Sequence, residues 1–315
     1  MTTPGNAEPP PALDSAAFSA LYQRLRRATP WGPDDRRGGL NYITPAQVLA
    51  AAGEIRLGRT MTLEAPIESQ AAPDNPEPAV HEMIGTGDRA DPAGLTFARD
   101  RLAMNVHGNA DSHIDALCHV IYQARLYNGV PASTVTAAGA AELSIELASD
   151  GIVGRGVLLD IPRRRGVPWL EPGDHVTADD LARAEEAQRV RVGQGDLLFV
   201  RVGHRRRRTA LGPWDSAARR AGLHPTAMEF VADRKVAALG SDSNNDTSPS
   251  AAEGVDFPVH VLALNAMGLH LLDWLQFDGL VPLCEEAGRW SFCCVIAPLR
   301  LVRGTGSPVN PIAIL

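Results

Sequence analysis

Three histidines and two aspartates lie within residues 107–119, which read His-Gly-Asn-Ala-Asp-Ser-His-Ile-Asp-Ala-Leu-Cys-His. The whole chain of 315 residues contains only nine histidines, so this one segment holds a third of them. Histidine together with aspartate is the ligand set expected for zinc, manganese or iron, whereas oxygen ligands alone would indicate magnesium or calcium. A bound divalent ion lowers the pKa of water to about 7 and polarises a carbonyl group. The segment is therefore a candidate centre for the hydrolysis of an amide, an ester or a lactam.

The spacing within this segment predicts which of its side chains meet. Alternate side chains of an extended segment share a face, so His113 and Asp115 project to the same side. If the chain turns helical after Asp115, His119 returns beside it, because residues four apart lie on one helix face. His119 would then be placed to shuttle a proton between water and a leaving group. Its neighbour Cys118 is either a nucleophile or, since apolar residues flank the pair, a buried core residue.

Composition and motif searches exclude several classes of function. The formal net charge of −7 gives no overall attraction to nucleic acid or to an anionic membrane. No segment resembles a secretory leader or reaches the roughly 20 apolar residues of a membrane span, so we expect a cytoplasmic protein. The four cysteines lack the paired spacing of a zinc finger or a disulfide framework, and Cys293 and Cys294, within an apolar run, are predicted to be buried. The run Arg205–Arg208 is interpreted as a solvated loop, and neither a serine-hydrolase elbow nor a dinucleotide-binding glycine motif is present.

The elements that must position the candidate residues read as a mixture of helices and strands. Residues 16–27 have amphipathic helical spacing, and Thr44 precedes a proline at the start of a second helix. Residues 71–98, dense in proline, glycine and aspartate, are predicted to form a loop that serves as a lid or wall beside the histidines. Further predicted elements are buried strands over 156–161, 196–202 and 236–240, a capped helix from Thr177 to Ala187, an apolar stretch over 260–275 that Gly268 ends or bends, and a strand-like run over 290–301. A single α/β domain over residues 14–315, preceded by a disordered tail over residues 1–13, is the simplest account.

The segment with the histidines also carries a family resemblance. Residues 112–119, Ser-His-Ile-Asp-Ala-Leu-Cys-His, fit the second half of the pattern His-x-Gly-Thr-His-x-Asp-x-Pro-x-His. That pattern is the hallmark of the bacterial cyclase family, which is similar to the metal-dependent kynurenine formamidases and isatin hydrolases. The chain resembles the longer members of this family from about residue 16 to its end. The other matching segments are Trp-Gly-Pro-Asp-Asp at 31–35, Leu-Tyr-Asn-Gly at 126–129, Gly-Ser-Asp at 240–242, Pro-Leu at 298–299 and Gly-Thr-Gly-Ser-Pro-Val-Asn-Pro at 304–311.

The resemblance implies a fold, an assembly and a ligand set. The fold would be a swivelling β/β/α domain of the cyclase and kynurenine formamidase type, in a homodimer or homotetramer that binds zinc or manganese and a small-molecule substrate. His113 and Asp115 would be metal ligands, with His119 as the acid/base. His260 and Asp273 fall where the family places a further histidine and an acidic residue. The substrate pocket is expected at Trp31, Tyr127 and Asn128.

Two departures from the family pattern bear on metal binding. Asn109 stands where the family has its first histidine, and asparagine is a poor zinc ligand. Asp273 is one methylene shorter than the glutamate that is usual there. Either His107 or Asp111 completes the coordination sphere, or the metal binds weakly, or this chain has lost it.

Three functions therefore remain open at the level of sequence. The leading hypothesis is a metal-dependent hydrolase that opens an amide, lactam or ester of a small aromatic metabolite, with His119 moving protons. The second is a cyclase or dehydratase of natural-product biosynthesis, of the polyketide type, in which His119 and Asp115 perform acid/base chemistry without an obligatory metal. The third is a small-molecule-binding protein with a decayed site.

Overall fold

The computed structural model describes residues 10–315, and a mixed β-sheet runs through their core. The strands are β1 Thr60–Thr62, β2 Val80–Gly85, β3 Arg99–Ala103, β4 His113–Asp115, β5 Val135–Thr136, β6 Gly139–Ala140, β7 Ile152–Asp160, β8 His175–Val176, β9 Leu197–Arg201, β10 Gly222–Leu223, β11 Ala238–Ser241, β12 His270–Asp273, β13 Ser291–Ile296, β14 Gly306–Pro308 and β15 Ile312–Ile314. The helices are α1 Ser15–Ala28, α2 Pro45–Ala52, α3 Ile161–Arg165, α4 Ala178–Gln188, α5 His204–Leu211, α6 Ala227–Asp233, α7 Pro258–His260, which continues as a π-helix over Val261–Met267, and α8 Leu280–Ala287.

Nine of these strands form one sheet in the order β1-β15-β13-β7-β9-β11-β12-β4-β14. Its centre, β7-β9-β11-β12, is parallel, and the strands outside that centre pair antiparallel. Parallel strands are covered on both faces and read as continuous apolar runs, which is the pattern of β7 and β9. The sheet and its surrounding helices confirm the predicted α/β class. No helix in the described range is long and apolar enough to cross a bilayer.

Most predicted elements are confirmed within one to five residues at each end. The predicted helix over 16–27 is α1, which Asp14 caps by accepting a hydrogen bond from the Ala17 amide. Thr44 caps α2 together with the side chain of Gln47, and Thr177 caps α4. The predicted strands over 156–161, 196–202, 236–240 and 290–301 correspond to β7, β9, β11 and β13.

The apolar stretch over 260–275 divides at Gly268, as predicted. The π-helix ends at Met267, Gly268 adopts a left-handed φ of 66°, and β12 follows. A β-carbon at Gly268 would lie 2.5 Å from the ring of Tyr127, so any side chain would displace that ring. The glycine therefore supplies both the turn and the close approach.

Two predictions about exposed segments are wrong. The predicted loop over 71–98 contains β2, which pairs with β3 in a hairpin whose residues are almost all exposed. Neither face of this hairpin is buried, so no apolar alternation marks it in the sequence. The run Arg205–Arg208 is not a solvated loop but the first turns of α5, with Arg205 buried and Arg208 paired to Asp74 and Glu68.

The predicted disordered tail lies mostly outside the described residues, which begin at residue 10. Its last residue, Leu13, pairs in parallel with Ala252 and exchanges backbone hydrogen bonds with Ala251 and Glu253. The hydrogen-bonded chain therefore begins before the boundary that the sequence predicts.

Candidate metal centre

Two short antiparallel strands bring the first three candidate ligands together. β4 carries His113 and Asp115 on one face, and its register with β12 places Asp273 opposite His113. All three side chains are buried. The Nε2 atom of His113 lies 3.6 Å from Oδ1 of Asp115 and 4.0 Å from Oδ2 of Asp273. Cross-strand neighbours are close enough for one ion to contact both.

His260 reaches the same point from the end of α7. Its Nε2 atom lies 3.4 Å from Oδ2 of Asp115 and 3.3 Å from Oδ2 of Asp273. We call His113, Asp115, His260 and Asp273 the inner donor group. The sequence and its family resemblance assign these four residues as ligands, and the structure brings them together.

Hydrogen bonds on the far side of each imidazole orient its Nε2 atom towards the centre. His113 Nδ1 lies 2.9 Å from the Asp111 carbonyl oxygen, and His260 Nδ1 lies 2.6 Å from Oδ2 of Asp246. Asp246 also accepts the Val259 and His260 amides, so one carboxylate both caps α7 and fixes the ring. A metal-binding histidine is held by this kind of outer acceptor.

Asp273 is held by two asparagines that sequence reasoning missed. The amides of Asn244 and Asn245 donate to its Oδ2 and Oδ1 atoms, each at 2.6 Å. Both follow β11, in a loop of which the sequence indicates only the polarity. A further buried residue, His270, lies with Nδ1 2.7 Å from the Asp115 carbonyl oxygen and braces β4 from behind.

His107 and His119 form a second layer above the inner donor group. Their rings stack with centroids 3.7 Å apart and an angle of 12°, and we call them the outer imidazole pair. His107 Nδ1 lies 2.9 Å from Oδ1 of Asp115, and its Nε2 lies 3.0 Å from the Thr305 hydroxyl. A turn, rather than the helix considered from the sequence, returns His119 to this position, with its amide bonded to the Ala116 carbonyl. Both rings are half-buried.

The candidate donor atoms form two triads that share one carboxylate. His107, His113 and Asp115 make one triad, and Asp115, His260 and Asp273 make the other, with the donor atoms of each triad within 4.8 Å of one another. Asp115 Oδ2 is buried and has no hydrogen-bond partner among the described residues. An unpartnered buried carboxylate oxygen is costly unless a cation or proton satisfies it.

The site is strongly polarised. Burial raises the pKa of Asp115, but the surrounding imidazoles, His119 foremost, lower it by a larger amount. The pKa of Asp115 is therefore well below its ordinary value. Burial lowers the pKa of His260, yet Asp273, Asp115 and Asp246 outweigh that effect and raise it well above the ordinary value. Burial lowers the pKa of His119 to about 4, so its ring is neutral at neutral pH.

Two candidate ligands lie apart from both triads. Asn109 is exposed. Asp111 is buried, but its carboxylate accepts the Glu68 amide, and only its backbone carbonyl contacts His113. Of the replacements considered for the missing histidine, His107 is therefore the one whose side chain reaches the centre.

The predicted substrate-pocket residues hold two loops together instead of joining the histidines. The Tyr127 hydroxyl donates to Asp35, and the Asn128 amide donates to the carbonyls of Gly32, Pro33 and Asp35. Trp31 packs against Tyr42, with centroids 4.9 Å apart. None of these hydrogen bonds or ring contacts involves the inner donor group.

One exposed aromatic residue does border the centre. The ring of Phe257 lies 5.7 Å from that of His260 and is 47% exposed. The guanidinium of buried Arg220 lies 5.3 Å from the same ring and fixes it from the protein side. Cys118, in contrast, is buried with its pKa raised to about 12 by burial, which removes it as a nucleophile at neutral pH.

Known proteins resemble the chain over much of its length. A family model described as a putative cyclase matches residues 36–245. A crystal structure of a novel cyclase aligns with a TM-score of 0.84 and 32% identity, covering 93% of this chain and 99% of that one. An isatin hydrolase bound to the product analogue thioisatinate aligns with a TM-score of 0.56 and 21% identity, covering 87% and 99% of the two chains.

A curated relative matches over a shorter stretch. The isatin hydrolase of Roseibium aggregatum is 25% identical over 147 residues, which are 45% of this chain and 53% of that protein. The chain therefore spans about half the length of the curated relative that it matches.

Proposed function

This chain belongs to the cyclase family, and from that premise we propose that it is a metal-dependent hydrolase that opens an amide, lactam or ester bond of a small aromatic metabolite. One observation carries the proposal: four buried donors from β4, α7 and β12 converge, and one of their oxygen atoms, Oδ2 of Asp115, accepts no hydrogen bond within the described chain although His260 Nε2 lies 3.4 Å away. A cation at this point would satisfy that oxygen.

The donor set fits a divalent transition metal. Two imidazoles present Nε2 atoms whose rings are oriented from behind, and two carboxylates face them. Imidazole with carboxylate suits zinc or manganese and departs from the all-oxygen sets of magnesium and calcium. His113, Asp115, His260 and Asp273 would hold the ion, and His107 lies where it can supply the donor that Asn109 does not.

The hydrolytic chemistry divides between the ion and the outer imidazole pair. A divalent ion, when bound, supplies Lewis acidity that makes water nucleophilic at neutral pH and polarises a carbonyl. His119 accepts the proton that water loses and returns it to the leaving nitrogen or oxygen, and its neutral ring is in the state required for the first step. His107 orients His119 by stacking while its own Nε2 is held on the Thr305 hydroxyl.

Phe257 supports an aromatic substrate. Its exposed ring borders His260, and an aromatic pair contributes about 0.5–1.5 kcal/mol beyond the area it buries. The name of the isatin hydrolase relatives indicates an aromatic lactam as their substrate. We extend that class, but not the particular compound, to this chain.

Metal analysis of the purified protein tests the proposal. We expect a stoichiometric divalent ion, loss of turnover of isatin, of an aryl formamide or of an aryl ester when a chelator removes it, and recovery when zinc or manganese is returned. His113→Ala should bind less than one tenth of the wild-type metal. A protein that turns over these substrates with no metal, and that chelators do not affect, would contradict the hydrolase proposal.

A second candidate function rests on the hydrogen bond between His107 and Asp115. An imidazole and a carboxylate 2.9 Å apart, with His119 stacked above, can perform acid/base chemistry by themselves. This arrangement favours a cyclase or dehydratase without an obligatory metal. Chelator-resistant conversion of a polyketide-type substrate, abolished by His119→Ala, would select it.

A further inference from the structure

Arg205 lies at the start of α5, fully buried, and donates only to backbone carbonyls. Its Nη2 atom donates to the carbonyl of Ala110 and, at 2.6 Å, to that of Trp274, and its Nε atom lies 3.4 Å from the carbonyl of Leu275. Ala110 precedes His113 by three residues, and Trp274 directly follows Asp273. One guanidinium therefore joins the segments that carry ligands on β4 and on β12.

Few direct contacts fix the position of β4 relative to β12, and one of them is the contact of His270 Nδ1 with the Asp115 carbonyl. The ladder between β4 and β12 consists of two residue pairs, Leu272 with Ile114 and Asp273 with His113. A ladder of two pairs supplies few hydrogen bonds, and a slip of one residue would turn every side chain to the other face. Ser112 adds one tie, because its hydroxyl donates to the Trp274 carbonyl at 2.7 Å and accepts the Ala65 amide.

Arg205 forms no salt bridge with a described residue. Among the described residues no carboxylate lies within salt-bridge distance of it, whereas Arg208 on the next turn binds both Asp74 and Glu68. Burial lowers the pKa of Arg205 to about 10, so the guanidinium stays charged at neutral pH. Burying a charge that bonds only to carbonyls is unfavourable for folding. What these bonds contribute is to fix the two strand segments relative to each other.

We propose that Arg205 is a positioning residue for the metal centre, setting the separation of His113 and Asp115 from Asp273. The proposal rests on the proposed metal site and concerns a residue that contacts neither metal nor substrate. The Nη2 atom of Arg205 bonds both segments while its Nε atom reaches the Leu275 carbonyl. A lysine ammonium group lies one bond closer to the main chain and has no second nitrogen, so it does not reproduce this set of contacts. The effect of Arg205 is therefore geometric, and a change that keeps the charge should still disturb the site.

Arg205→Lys tests the proposal against the matched control Arg206→Lys, whose residue is exposed on the same helix. We measure the zinc and manganese dissociation constants by chelator competition. Arg205→Lys is expected to weaken binding about 10-fold or more, on the scale of other outer contacts to metal ligands, and Arg206→Lys to leave it unchanged. A folded Arg205→Lys protein with wild-type affinity overturns the proposal.

Two further measurements keep the test decisive. If Arg205→Lys does not fold, Arg205→Gln takes its place, because the glutamine side chain is too short to bond both segments, and wild-type affinity in that variant overturns the proposal. If the wild-type protein takes up no ion, the proposed function fails, and hydrogen exchange then decides for Arg205. Faster exchange of the amides of residues 112–115 and 272–275 in Arg205→Lys than in Arg206→Lys supports the positioning role, and equal exchange overturns it.

Discussion

The inner donor group and the outer imidazole pair differ in how they are held. All four inner side chains are buried, and three of them, on His113, His260 and Asp273, are supported from outside the centre by a neighbouring polar group, such as Asp246 behind His260. His107 and His119 are half-buried, and the His119 ring contacts the rings of His107 and His260 without a hydrogen bond to any described residue. A rigid inner layer suits a ligand set, whose geometry sets affinity, whereas a looser outer layer suits proton transfer.

Asp115→Asn is the largest test of this division, because Asp115 belongs to both donor triads. The variant keeps the shape of the side chain and removes its charge. We expect loss of bound metal and a fall in turnover of about 10³-fold or more, since the Lewis acid role contributes several kcal/mol. Metal analysis and steady-state kinetics provide the measurement.

Asp111→Asn is the control for that substitution. Asp111 is also buried, four residues earlier, but its carboxylate bonds to the Glu68 amide outside both triads. It should keep its metal and its activity. Equal metal loss in both variants would mean that metal binding depends on any buried charge in this segment. The four residues of the inner donor group would then not be specifically required.

His119→Ala tests the outer layer. The removal of a general acid/base costs about 10²- to 10⁴-fold in turnover, whereas metal content should remain at the wild-type level. A fall in turnover without a loss of metal would show that His119 transfers protons and does not bind the ion. Unchanged turnover would remove His119 from both proposed reactions, and loss of metal would place it among the ligands.

The sequence predicted the local part of this centre. His113, Asp115 and His119 are close in the chain, so alternation along a strand and a tight turn suffice to bring them together. The family resemblance supplied His260 and Asp273. Their approach depends on the pairing of β4 with β12 across more than 150 residues, and no local pattern encodes such a register.

The supporting residues could not be predicted in the same way. Asn244, Asn245 and Asp246 read only as part of a polar loop, and their roles depend on side chains from β12 and α7. Arg205 was misread because a run of four arginines is ordinarily solvated. Its burial requires carbonyls from two distant segments, which only the fold provides.

Asp246→Asn tests the support of the inner layer with a smaller expected effect. Asp246 fixes the ring of His260 and raises the basicity of its Nε2 atom, and outer partners of this kind contribute about 10- to 100-fold to metal affinity. The exposed neighbour Asp256→Asn is the control and should bind metal as the wild type does. Chelator competition measures both variants, and wild-type affinity in Asp246→Asn would show that α7 alone orients His260.

Cys118→Ala should have the smallest effect, although Cys118 adjoins His119. Because the pKa of the buried thiol is raised to about 12, the thiolate is scarce up to about pH 10 and reaches half only near pH 12, so neutral conditions leave no nucleophile. We expect wild-type turnover, no inactivation by iodoacetamide at pH 8, and a stability loss of about 1 kcal/mol from the small cavity. Inactivation by iodoacetamide that Cys118→Ala prevents would show that the segment around Cys118 opens in solution. Local unfolding of that segment, which joins Asp115 to His119, would then contribute to the difference between the two layers.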